Sequence, residues 1–262
     1  MPFQALEIEL NGPVATLWMN RPDLHNAFDE TLIAELTAAC VALDGDDDIR
    51  VVVLAGRGKS FSAGADLNWM KRATNNGLSE NLDDARALAG MLRTLAEMKK
   101  PTIARVQGAA LGGGMGLASA CDIAVASTKA VFATSEVKFG IIPSAISPYV
   151  LRAIGARQAT RYFQSAERID AVRAREIGLM HETVEPEQLD AKVQEIVASL
   201  LQGGPQAQAA AKNLIRAVNG QPVNDTLVED TAHRIAHLRA TAEAREGISA
   251  FLEKRPANWI GE

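Results

Sequence analysis

Three short segments hold residue types whose spacing could do chemistry. The first is Phe61-Ser62-Ala63-Gly64-Ala65-Asp66-Leu67, which follows a β-branched run and leads towards a helical pattern. Small residues there let a ligand approach the backbone closely. Free amides at a helix start can hold an anion or a polarised oxygen. A packed strand-to-helix connection explains the same residues equally well. The second is Gly108-Ala109-Ala110-Leu111-Gly112-Gly113-Gly114-Met115-Gly116. It is not a dinucleotide fingerprint, because GxGxxG fails at Leu117, and it is not a GxxxxGK phosphate loop. Three consecutive glycines opening a helix leave several N–H groups unobstructed. Two such loops at the ends of neighbouring strands could each aim one N–H at a single carbonyl oxygen and so form an oxyanion hole. Tight helix–sheet packing is compatible with that role. The third runs from Ala133 to Pro143 and places one carboxylate, Glu136, among small and apolar residues. Burial would raise its pKa and make it a useful acid or base near neutral pH. From this segment alone, a surface glutamate beside Lys138 is the more economical reading.

Other residues offer less. His233 and His237 stand four apart on a helical pattern, a spacing that permits metal binding, but there is no HExxH and the helix is charged, so they read as surface histidines and no metal is expected. His25 and His181 stand alone, and Ser147 lacks partners for a nucleophilic triad. Trp18, Trp69 and Trp259 read first as packing residues.

The elements that must position these segments follow from hydrophobic periodicity. Leu6–Leu10 and Val14–Met19 flank Asn11-Gly12-Pro13 as a hairpin. Residues 28–43 read as a helix closed by the acidic turn Asp46-Asp47-Asp48, and Arg50–Ala55 as a strand covered on both faces. A helix starts at Leu67, residues 73–81 read as a mobile loop, and Leu82–Met98 as a helix. Thr102–Val106, Cys121–Ala126 and Ala130–Ala133 read as strands. After about residue 145 the pattern is almost wholly helical, with helices near 189–200, from Gln206 and from Val223. Strand, loop and helix alternate, so the fold class is α/β. A core over residues 1–200 and a helical region over 201–262 are the expected divisions.

Composition bounds the function classes. The chain has 262 residues and a net charge of −5; 47% of residues are hydrophobic and only 5% aromatic, with 20 glycines. Such a length buries roughly 70–75% of the unfolded surface, so no disulfide or metal staple is needed. The composition argues against disorder, collagen and coiled coil. Mild acidity gives no broad footprint for nucleic acid, though a local basic patch stays open. Cys40 and Cys121 sit in apolar surroundings, as reduced thiols would. No apolar run reaches the ~18 residues of a membrane span, and the first ten residues read as strand rather than leader, so a cytoplasmic globular protein is expected.

Taken together, these segments resemble the crotonase, or enoyl-CoA hydratase/isomerase, superfamily. The likeness runs from Asn20-Arg21-Pro22 with Asn26-Ala27, through FSAGADL, QGAALGGGMGLASACDIAVAS and SEVKFGIIP, to Glu246–Arg255. It implies a spiral of ββα units with a helical C-terminal region, assembled as a homotrimer or homohexamer. It implies an acyl-CoA thioester substrate, with coenzyme A part of the substrate and no separate cofactor. Matched by motif, the N–H groups of Ala65 and Gly113 would hold the thioester oxygen, and Glu136 would be the acid/base. CoA would run along Leu24 and His25, then over Ala63, Ala65, Asp66 and Leu67, with Phe251 and Lys254 approaching its nucleotide end. Trp69, Gly116, Ser144 and Tyr149 would border the acyl group. Asp23 stands where many relatives carry Lys, and an acidic residue cannot neutralise a diphosphate.

A second departure concerns catalysis. Relatives with two catalytic glutamates carry the first where this chain has Gly116, so Glu136 stands alone. Three readings follow. The leading one is a hydratase (a lyase) adding water across the 2,3-double bond of a branched or carboxylated enoyl-CoA, because FSAGADLNWM, GGGMGLASACDIAVA and SEVKFGIIPSAISPYVLRAIG are similar to methylglutaconyl-CoA hydratase-like proteins of leucine degradation. Lys138, Arg152 and the Tyr149 hydroxyl are candidates for holding a distal carboxylate. The second is an enoyl-CoA isomerase working with Glu136 alone. The third is a non-catalytic CoA-thioester-binding or RNA-binding protein.

Overall fold

The computed structural model describes residues 3–260. β1 (Leu6–Asn11) and β2 (Val14–Met19) form the expected hairpin. α1 (Glu30–Gly45) follows, N-capped by Asp29, whose carboxylate accepts from Leu32 N at 2.9 Å. β3 (Val51–Gly56) is buried at all six positions, as its unbroken apolar run demands. α2 (Leu67–Ala73) and α3 (Leu78–Glu97) come next. The segment expected as a loop over 73–81 is shorter, because Glu80 reaches back to accept from Gly77 N at 2.6 Å and starts α3 one turn earlier.

β4 (Thr102–Val106), β5 (Ala109–Leu111), α4 (Gly113–Ala120), β6 (Ile123–Ser127) and β7 (Val131–Ala133) build the middle of the chain. The glycine-rich connection at 108–116 is thus a short strand running straight into a helix. Cys121, expected in a strand, instead caps α4, its N–H bonding Leu117 O. α5 (Ser147–Ser165) kinks at Gly155, whose φ is +72°. β8 (Ile169–Asp170), α6 (Ala171–Glu176), β9 (Glu182–Val184), α7 (Leu189–Leu201), α8 (Pro205–Val218), α9 (Asp225–Arg239) and α10 (Ala242–Glu253) complete it. β8 and β9 correct the expectation of an almost wholly helical second half. Two- and three-residue strands carry too little periodicity to be seen beside long helices.

The strands make two sheets. One runs β1-β2-β3-β4-β6-β9, parallel except for the β1–β2 hairpin. Period-two alternation splits its faces: Val51, Val53, Ile103 and Val125 pack on Leu189, Val193 and Val197 of α7, while Val52, Leu54 and Ala104 join the larger core with α1, α3 and α4. The second sheet runs β5-β7-β8. Single bridges Ser62↔Ala110 and Phe28↔Ala65 extend it towards the N-terminal loops. Successive units therefore send one strand to each sheet, and the small sheet carries the loops of the site.

The last three helices attach through polar ties. Arg50 donates to Gly203 O (2.5 Å) and Trp259 O (3.2 Å), and Lys212 pairs with Asp122 at 2.6 Å. α8 and α9 contain no fully buried residue.

Candidate active site

The three segments singled out by residue type meet at one point. Gly64 has φ +90° and Gly112 φ +50°, conformations that leave no comfortable place for a side chain. A Cβ on Gly64 would stand 3.0 Å from Leu111 O and 3.9 Å from Gly112 Cα. A Cβ on Gly112 would stand 3.1 Å from Glu136 Oε1 and 3.9 Å from Gly64 Cα. The small residues are therefore a condition of convergence: any Cβ would drive loop from loop, or loop from carboxylate. Below them, a Cβ on Gly113 would press into the Phe28 ring at 2.6 Å, so α4 can start here only on glycine.

Hydrogen bonds fix this arrangement. Phe28 N donates to Gly64 O (2.7 Å) and Asp66 N to Phe28 O (2.8 Å). Ser62 N donates to Ala109 O (3.0 Å), Leu111 N to Ser62 O (2.9 Å) and Gly112 N to Ala133 O (2.8 Å). The flanking amides are thus spent on the sheet. The N–H of Ala65 and that of Gly113, in the first turn of α4, donate to no protein acceptor among the described residues. Both residues line one cavity of about 490 Å³, together with Gly64, Gly112 and Glu136.

Glu136 begins a short 3₁₀ turn, Glu136–Phe139. Its Oε2 is buried with no hydrogen-bond partner among the described residues. Burial raises the pKa of its carboxyl, against a smaller lowering by its own backbone N–H. The surface-glutamate alternative is thereby set aside: the exposed members of the turn are Lys138 and Phe139. A buried, unpaired carboxylate at the edge of a cavity is the arrangement from which a general base is made.

The remaining lining is mostly apolar. Leu67, Trp69 and Met70 come from α2, Ala85 and Leu88 from α3, and Phe139 to Ile146 from the turn before α5. Asn81, Asp84, Ser135 and Ser144 are its other polar side chains. Trp69 and Ser144 thus lie where the acyl group was expected. Gly116 does not line the cavity. A Cβ there would collide with Ile146 Cγ2 and sit 2.8 Å from Ile146 Cβ. Ile146, 2% exposed, fills the room a side chain at 116 would need. Tyr149 is also outside the lining, half-buried on α5 with Arg152 5.8 Å from its ring.

Of the residues expected along CoA, Ala63, Ala65 and Leu67 line the cavity. Leu24 is 46% exposed beside it in sequence with His25, whose φ is +51° and whose Nδ1 lies 3.0 Å from Ser60 Oγ. His25 O accepts from Ala63 N at 3.0 Å, so this edge backs onto the first loop. Asp66 does not face the cavity. It is buried as the N-cap of α2, accepting from Asn68 N and Trp69 N, and it pairs with Arg21 at 3.3 Å. Phe251 and Lys254 end α10, exposed, and do not line the cavity. Among the described residues no cluster of three His, Cys, Asp or Glu could hold a metal; His233 pairs with Glu229 and faces His237 at 6.0 Å between ring centres. No helix among those residues is long and apolar enough to cross a membrane.

Sequence reasoning missed the residues that hold the loops in place. Asn26, fully buried, accepts from Arg21 N and donates to Arg57 O and Ser60 O. Arg21 donates to Ala27 O at 2.6 Å and pairs with Asp29 at 2.8 Å. The signal was the Asn20–Ala27 motif, whose polar residues have no role in a local helix or strand.

The chain is similar to known proteins over nearly its whole length. The sequence profile described as "Enoyl-CoA hydratase/isomerase" matches residues 9–262. The "Crotonyl-CoA hydratase" of Syntrophomonas wolfei subsp. wolfei is 33% identical over 265 residues, covering 100% of both chains. Among solved structures, an enoyl-CoA hydratase from Shewanella pealeana superposes with a TM-score of 0.96 at 42% identity, over 98% of this chain and 96% of that one. An enoyl-CoA hydratase/isomerase from Marinobacter aquaeolei gives 0.92 at 34% identity, over 98% and 99%.

Proposed function

The chain belongs to the enoyl-CoA hydratase/isomerase family and is an enzyme of it, and we propose that it acts as a hydratase, adding water across the 2,3-double bond of an uncharged, straight or branched enoyl-CoA. One observation carries this reading: the partnerless carboxylate of Glu136 lies against Gly112, between two loops whose Ala65 and Gly113 N–H groups open into the same cavity. As carboxylate, Glu136 takes a proton from water while the oxygen bonds to Cβ. The electron pair of the double bond moves towards the thioester, and the two N–H groups hold the enolate oxygen. Glu136 then returns the proton to Cα, so the water is added whole. Each oxyanion donor is worth about 3–4 kcal/mol in such chemistry. Coenzyme A enters as part of the substrate, and the protein works without a separate cofactor.

The charge of the cavity supports an uncharged acyl group. A distal carboxylate, as in 3-methylglutaconyl-CoA, needs a cation or several donors; among the described residues no cationic side chain lines the cavity, Asp84 adds negative charge there, and only Asn81, Ser135 and Ser144 offer side-chain donors. Lys138 and Arg152 are exposed. A place in leucine degradation thus rests on local sequence likeness alone.

The test follows enone absorbance with crotonyl-CoA, 3-methylcrotonyl-CoA and 3-methylglutaconyl-CoA. Hydration of the first or second, abolished in Glu136→Gln with thioester binding kept, is expected. No absorbance loss with any of the three rejects hydration. A second reading is favoured by Ile146 occupying the room at 116: a single carboxylate suffices to move a proton from C2 to C4, as an isomerase would. Double-bond migration in a 3-enoyl-CoA, faster than hydration of the 2-enoyl-CoA, would replace the hydratase reading by this one.

We also infer a cytoplasmic homotrimer, or a hexamer of paired trimers. Support comes from apolar side chains left exposed at Phe139, Ile141, Ile142, Phe251 and Leu252, and from α8 and α9, which bury no residue fully within the chain.

A further inference from the structure

A second cavity, of about 420 Å³, lies between α1 and α3. Ile33 of α1 and Gly90 and Met91 of α3 are among its lining residues. Two residues, Trp69 and Asp84, line both this space and the acyl cavity. Trp69 is half-buried and packs on the main core. Its backbone is anchored, because Asp66 Oδ1 accepts from its N–H at 3.2 Å, so the indole, with Asp84 beside it, marks the boundary of the two spaces.

We propose that Trp69 sets the acyl-chain length by closing the passage from the acyl cavity into the α1–α3 groove, which would otherwise take the distal methylenes of a longer chain. This rests on the acyl-CoA reading above and deepens it. The occupant is an uncharged tail: the half-buried Asp84 at the same boundary repels an anionic one, and Arg86, which also lines the groove, is paired with Asp83 at 3.2 Å. With the indole in place, the groove adds nothing to the acyl cavity of about 490 Å³. With it removed, each methylene that enters the groove leaves water and strengthens binding.

The experiment measures binding of saturated butyryl-, octanoyl- and dodecanoyl-CoA by calorimetry, so it does not depend on which reaction is catalysed. Wild type is expected to gain nothing from octanoyl to dodecanoyl. Trp69→Ala is expected to bind dodecanoyl-CoA about tenfold or more tightly relative to butyryl-CoA. Gly90→Leu, added to Trp69→Ala, refills the groove and should reverse that gain; a Cβ at Gly90 meets nothing within 4 Å, so the change is tolerated in α3. A parallel chain-length profile in wild type and Trp69→Ala, or a gain that Gly90→Leu leaves intact, overturns the proposal. Failure of hydration with chain-length behaviour as expected would instead fault the reaction assigned to the site.

Discussion

Gly116 and Ile146 should trade places energetically. A Cβ on Gly116 would collide with Ile146 Cγ2 and lie 2.8 Å from Ile146 Cβ, against roughly 3.5–4.0 Å in ordinary contact. Ile146 is 2% exposed and cannot swing into solvent. Overpacking of this kind costs about 1–3 kcal/mol. Replacing a helical glycine by alanine returns about 1 kcal/mol. Gly116→Ala should therefore destabilise the wild type by up to about 2 kcal/mol. Ile146→Gly removes both clashing atoms and should itself cost at least the ~2–5 kcal/mol of a large-to-alanine change. In that background Gly116→Ala meets no obstacle, gains its helix preference and refills part of the void, so it should stabilise by about 1 kcal/mol. The effect shifts towards stabilisation, with a coupling of about 1–3 kcal/mol. Urea unfolding of the four proteins gives the number. Equal effects of Gly116→Ala in both backgrounds, within about 0.5 kcal/mol, would refute the idea that Ile146 occupies the room of a second carboxylate. Gly116→Glu, by the same logic, should be tolerated only with Ile146→Gly.

Further outcomes follow from the same geometry. Glu136→Gln should lower kcat by about 10²–10⁴ while raising thermal stability at pH 7–8. The folded pKa of Glu136 is raised by burial, so its contribution to stability is full below the unfolded value and is lost as pH rises through the folded one; the Tm gain of the variant should vanish near pH 4. Wild-type kcat should fall on acidification at a pH above the ordinary glutamate range, seen in a pH–rate profile. Gly112→Ala, strained at φ +50° and 3.1 Å from Glu136 Oε1, should reduce kcat more than it changes KM. Asp66→Ala removes the α2 cap and one Arg21 pairing; a loss of about 1–2 kcal/mol in urea unfolding is expected, with short-chain thioester affinity affected less than stability. Light scattering should give a mass of three or six chains; a monomer would leave the exposed apolar helix faces unexplained.

Much of the site was legible along the chain because its parts are local. A triple glycine between a strand and an apolar helix can be read as unobstructed amides, and FSAGADL in the same setting reads alike. The unbroken apolar run of β3 declared a strand covered twice. What failed was short or remote. β8 and β9 hold two and three residues, and their identity comes from the partners they pair with, not from their own pattern. Asp66 reads along the chain as a ligand contact, but helix capping and the Arg21 pairing claim both its oxygens. Gly116 and Tyr149 read as neighbours of an acyl group, but Ile146 lines the cavity and they do not; nothing in a linear reading says which side chain fills a space 30 residues away.

By itself, the sequence determined the chemistry on offer: backbone donors that need no side chain, one carboxylate where two are common, and an alternation of strands and helices that demands a covered parallel sheet. Tertiary structure decided whether that chemistry could operate. Glu136 is suited to act as a base because folding removes its Oε2 from water without a partner among the described residues, which raises its proton affinity. Two loops more than 40 residues apart can offer one oxyanion site because the sheet ladders consume their neighbouring amides and leave those of Ala65 and Gly113 without an acceptor among the described residues. Hydrogen-bond satisfaction and desolvation are properties of the packed chain, so no list of residues could have supplied them.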